Sequence, residues 1–146
     1  MPLTIGSGNP TGSFEELQDS AVKVGNPEIF NIPTPASLTG ASNTLTAQQL
    51  VNGIIVISNA TATTANLPTA PALAALLRAF SSRGIIPGDS IYVTLVAGGA
   101  GAITIGSSAS ITPDANTSTS VPAGTSRQLL VRFTVGTPGS EVATYF

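Results

Sequence analysis

The sequence predicts an all-β protein, an antiparallel β-sandwich or jelly roll with one short α-helix and an extended N-terminal arm. Three observations lead there. From about residue 45 onward, short runs rich in Val, Ile and Thr follow one another between clusters of Gly, Pro, Asn and Ser, the pattern of strands joined by turns. A single stretch, residues 69–80, carries apolar residues at sustained helical spacing. The first 45 residues hold Pro2, Pro10, Pro27, Pro33 and Pro35 with no sustained period of either kind. The chain of 146 residues matches one domain of about 100–150 residues. It divides into an arm, residues 1–45, and a β domain, residues 46–146.

In the arm, proline removes backbone donors and holds the preceding residue extended. Short extended pieces are expected at 21–24 and 29–32, whose Val22, Val24, Ile29, Phe30 and Ile32 are more apolar than a disordered tail carries. Thr46 can cap one helical turn over 46–52, closed by Gly53. Residues 53–59 (Gly-Ile-Ile-Val-Ile-Ser-Asn) then form a strand apolar on both faces, as an interior strand is. Residues 62–67 make a more polar one.

The helix at 69–80 has Thr69 as N-cap and Pro71 in its first turn, where the missing N–H costs little. Leu73, Leu76, Leu77 and Phe80 fall at i, i+3, i+4 and i+7 and predict one apolar stripe. Arg78 suits the negative end of the helix dipole. Strands follow at 90–97, with Ile91, Val93 and Leu95 on one face, and at 102–106. The glycine run 98–101 is read as the hairpin between these two. A weak strand near 110–112 and a polar one at 117–121 precede residues 126–135, where Leu129, Val131, Phe133 and Val135 alternate inward. A turn at 136–139 leads into a closing strand over 141–146. Antiparallel pairing is the expectation for strands so closely spaced.

Chemistry is conspicuous by what the composition withholds. The chain has no His, Cys or Trp, and charged residues make up 8% of it, against about 25% in an ordinary domain. Without His and Cys the commonest general base, metal ligand and thiol nucleophile are absent. Asp89 and Asp114 sit in turn sequences where Asp bonds its own backbone. Asp114 with Asn116 lacks the spacing of an EF-hand calcium loop. The run at 98–101 is not followed by a helix that could meet a phosphate. No catalytic, cofactor-binding or metal-binding residue is therefore expected, and the protein is expected not to be an enzyme. Five basic and seven acidic residues, with Lys23 the only lysine, offer no basic patch for nucleic acid. The start of the chain lacks the basic and apolar regions of a secretory signal, and no apolar run approaches the roughly 20 residues that span a bilayer. Synthesis in the cytoplasm, with no membrane partner, is the expectation. So little charge has two competing readings: a surface made neutral by the abundant Thr, Ser, Asn and Gly, or a surface covered by other subunits, since interface cores are depleted in charge.

Four pieces carry a family likeness. They are Leu-Thr-Ala-Gln-Gln-Leu-Val-Asn-Gly-Ile-Ile from Leu45, Leu-Pro-Thr-Ala-Pro-Ala-Leu from Leu67, Pro-Gly-Asp-Ser-Ile-Tyr-Val-Thr-Leu from Pro87, and the run from Val121 to Val135 with its closing strand. In this order, over residues 45–146, they resemble a β domain of virion structural proteins of tailed bacteriophages and some large DNA viruses. The resemblance implies a jelly-roll or tumour-necrosis-factor-like sandwich assembled as a homotrimer. It transfers no catalytic or binding residue. A capsid cement or decoration protein on the virion exterior, partnered by itself and by the major capsid protein, is the leading expectation. The alternatives are a receptor- or glycan-binding head of a fibre or spike, and another tail or baseplate component. The candidate shell contacts are Ile29, Phe30 and Ile32 in the arm. Candidate trimer contacts are Ile55 and Ile57, from the strand apolar on both faces, and Val96 and Leu130, which point away from the inferred core.

Overall fold

A computed structural model describes residues 34–81 and 83–146. Residues 34–146 form one compact unit. Its strands are β1 (Ala36–Leu38), β2 (Ser42–Thr44), β3 (Ile54–Ile57), β4 (Thr63–Asn66), β5 (Ser90–Ala97), β6 (Ile103–Gly106), β7 (Ile111–Pro113), β8 (Ser120–Val121), β9 (Ser126–Val135) and β10 (Val142–Tyr145). Its helices are α1 (Ala47–Val51) and α2 (Ala70–Phe80). The protein is mostly β, as the sequence predicts, but the pairing differs from an antiparallel jelly roll. A six-stranded sheet runs β1-β3-β5-β9-β10-β7 and a four-stranded sheet runs β2-β4-β6-β8. The pairs β1–β3, β3–β5, β2–β4, β4–β6 and β10–β7 are parallel. Only β5–β9, β9–β10 and β6–β8 are antiparallel.

The parallel half arises because the chain alternates between sheets. β1, β3 and β5 go to one sheet and β2, β4 and β6 to the other, so each coil adds one strand to both. The second and third coils lie in constant register. Ile55 pairs with Leu95 and Thr63 with Ile103, each partner 40 residues further along. The five-residue corner 58–62 therefore lies directly beneath the five-residue corner 98–102. Gly98 N–H donates to Ile57 O at 2.9 Å, Gly101 N–H to Asn59 O at 2.8 Å and Thr63 N–H to Ala102 O at 2.9 Å. A side chain at Gly99 or Gly101 would overlap the backbone of Asn59 or Thr61. The glycine run expected as a hairpin is thus a sheet-to-sheet corner, and its glycines permit backbone to stack on backbone.

The first coil, β1 and β2, falls within residues expected to be arm. These three-residue strands are too short to show a period, and they form by pairing with the coil above. The two helices lie in the connections from β2 to β3 and from β4 to β5. Thr46 caps α1 through a capping box: Gln49 N–H donates to Thr46 Oγ1 at 3.2 Å and Thr46 N–H to Gln49 Oε1 at 2.8 Å. Gly53, at φ +84°, ends the turn in the left-handed region. On α2 the buried face is Ala70, Leu73 and Ala74, with Leu77 packed against the core, while Phe80 is 69% exposed. The expected stripe is rotated, because small alanines admit the closest approach and the helix end runs past the sheet.

Between the sheets lies one core. Its inward residues include Ile55 and Ile57 of β3, Val93 and Leu95 of β5, Ile103 and Ile105 of β6, and Leu129, Val131 and Phe133 of β9. Phe133 is 1% exposed and Leu95 0%. Val135, expected to point inward with them, is 38% exposed because β9 outruns the core. Buried Glu141 accepts a hydrogen bond from Arg78, which ties α2 to the start of β10.

Candidate assembly surface

Strand alternation sends every second side chain outward. On the six-stranded sheet the register aligns Val56 with Val96, and Tyr92 with Leu130. Phe146 extends that second row, exchanging backbone hydrogen bonds with Leu130 at 3.0 and 3.3 Å. Ile54 lies beside Thr94 between the two rows. The outcome is a diagonal apolar band crossing β3, β5, β9 and the end of β10. Tyr92 is 61% exposed and Phe146 42%, while Ile54, Val56, Val96 and Leu130 are half-buried. Ser37, Ser126, Gln128, Thr134 and Thr144 surround it. The single charged side chain on this face is Arg132. The outward face of the four-stranded sheet carries Ser42, Thr44, Thr64, Asn66, Thr104 and Ser120, with no charge at all.

The remaining described charges lie elsewhere. Arg78 is bound to Glu141, and Arg83 grips Asp89 in the loop before β5 through two hydrogen bonds of 2.7 and 2.8 Å. The Arg83 guanidinium, together with the Ile86 N–H, holds the Asp89 carboxyl below the usual range. Burial by itself would raise Glu141, but the hydrogen bond from Arg78 and backbone donors outweigh it and lower that carboxyl. Arg127 lies at the end of β9 and donates to Ser118 O. Asp114 follows β7, accepts from Asn116 N–H at 3.2 Å in the turn the sequence indicates, and lines a depression of about 450 Å³ with Arg132, Thr134, Thr144 and Phe146. Among the described residues no cluster of three or more acidic, His or Cys groups comes together, and no helix is long and apolar enough to cross a membrane.

Two of the four expected self-contacts, Val96 and Leu130, lie on the outward band. Ile55 and Ile57 do not: they are 0% and 1% exposed in the chain's own core and cannot meet a neighbour. A strand apolar on both faces gives no phase, and the outward pair is Ile54 and Val56. Tyr92 and Phe146 were missing from the expected set. The alternation of β5 places Tyr92 outward, whereas Phe146 follows the last strand and joins the band only through its pairing with Leu130. Ile29, Phe30 and Ile32 lie outside the described residues. Comparison with protein-family models, characterised proteins and solved structures gave no match.

Proposed function

We propose that this chain is a non-enzymatic cement or decoration protein of a virus shell, in the manner of tailed bacteriophages, working as a homotrimer on the capsid exterior. One observation carries the reading: the two outward faces of the sandwich hold a single charged side chain, Arg132, between them. An ordinary soluble domain is about one-quarter charged, and solvent-facing sheet surfaces are where those charges belong. A building block covered by neighbours has no such need. The likeness of residues 45–146 to virion proteins supports the same reading. Ile29, Phe30 and Ile32 are the proposed contacts with the major capsid protein, three sets per trimer acting multivalently.

The fold dictates how this is tested. A truncation near Ala41 would delete β1 and cut the first coil, so the informative variant begins at Thr34, where the compact unit starts. Full-length protein mixed with shells lacking it is expected to coat them in hundreds of copies. The chain from Thr34 is expected to self-associate but leave shells bare. Full-length protein that leaves shells bare would reject the reading. A second reading, a glycan-binding head, is favoured by the depression where Asp114 and Arg132 flank two threonine hydroxyls beside Phe146. Binding to a glycan array that disappears in Asp114→Ala would support it.

A further inference from the structure

We infer that the diagonal band Ile54, Val56, Val96, Tyr92, Leu130 and Phe146 is the surface on which copies of this chain pack against one another, equivalent faces meeting about a common axis. This deepens the cement reading by naming the surface that joins the subunits. Chemistry selects the occupant. A charged partner surface would lose its hydration against an apolar band without gaining a counter-charge. A like copy brings the same neutral, Thr- and Ser-rimmed face. Its one cation, Arg132, shares a depression with Asp114, so the meeting faces carry little net charge into contact.

The six strands hold 3, 4, 8, 10, 4 and 3 residues, and at about 3.3 Å by 4.8 Å per residue the whole face spans roughly 500 Å². Two such faces together bury about 1,000 Å², the lower bound for a specific interface. Tyr92 and Phe146 have the character of interface anchors, large amphipathic or aromatic groups at the centre of a neutral rim. The four-stranded sheet offers no such centre, since its outward side chains are Ser, Thr and Asn.

Sedimentation velocity of the full chain at micromolar concentration tests this. Wild type is expected to sediment as a trimer. Leu130→Asp and Tyr92→Ser are expected to weaken association about 30-fold or more, the change typical of a hot-spot residue, while Thr104→Asp on the other sheet leaves it unchanged. A monomeric wild type would overturn the inference, and so would a Tyr92→Ser variant that associates like wild type. Should Leu130→Asp fail to fold, Tyr92→Ser decides, because a side chain 61% exposed is not needed for the core. The outcomes separate from those of the cement reading. Subunits that associate through this face yet leave shells bare reject cementing and keep the interface, whereas monomers that coat shells reject the interface and the homotrimer and keep cementing.

Discussion

Replacing Gly101 with alanine tests the stacked corner directly. The added Cβ would overlap the carbonyl of Thr61, and its obstacle is backbone, which cannot rotate away as a side chain would. Relief requires the corners 98–102 and 58–62 to separate, and the 2.8 Å hydrogen bond from Gly101 N–H to Asn59 O stretches as they do. Overpacking costs about 1–3 kcal/mol and a lost backbone hydrogen bond about 1 kcal/mol. Gly101→Ala is thus expected to cost about 3 kcal/mol, or roughly 10–20 °C in Tm for a unit of this size. Gly84→Ala is the control, because open space surrounds that position and its φ lies outside the left-handed region. It is expected to be neutral or to stabilise by a few tenths of a kcal/mol through the unfolded chain. Thermal unfolding by circular dichroism at one fixed protein concentration compares them. Equal melting temperatures would refute the stacked coils and restore the hairpin, in which Gly101 would face solvent.

Further outcomes follow from the core and its ion pair. Phe133→Ala should cost about 3–5 kcal/mol and reduce soluble yield, whereas Thr134→Ala, one residue along on the outward face, should leave Tm nearly unchanged. Glu141 and Asp89 both have lowered carboxyl pKa values. The stability they add is therefore present above the ordinary carboxylate range of about 3.9–4.3 and is lost as pH falls through the lower folded values. Tm should hold between pH 7 and 5 and fall below about pH 4. Arg78→Ala removes the side-chain hydrogen bond that helps lower the Glu141 carboxyl, so that pKa should rise towards its unfolded value. The variant should melt below wild type at neutral pH, and the gap should narrow as pH falls through the carboxylate range. Thr46→Ala, which removes the α1 capping box, should cost about 1 kcal/mol.

Strand and helix positions were legible because they are local. The Val/Ile/Thr runs match β3, β5, β6 and β9 closely, and Thr46 and Thr69 mark both helix starts. Pairing was not legible, because which strand neighbours β5 depends on a residue 40 positions earlier and no local signal encodes it. The glycine run could serve a tight turn or a close backbone approach, and composition does not separate them. β1 and β2 were hidden by their length and by the prolines at 33 and 35. The outward surface was half legible: in β5 and β9 alternation fixes the phase and places Val96 and Leu130, whereas in β3 the run Ile54 to Ile57 satisfies either phase. Only its pairing with Leu95 turns Ile55 inward.

The measurement that bears most directly on the proposed function is decoration of shells lacking the protein. Purified full-length chain is added, and the bound copies are counted on stained gels beside electron cryo-microscopy of the particles. Hundreds of copies per particle, in threefold clusters joined through the Tyr92–Leu130–Phe146 face, are the predicted result. Bare shells, or binding confined to a single vertex or tail in a few copies, would contradict it.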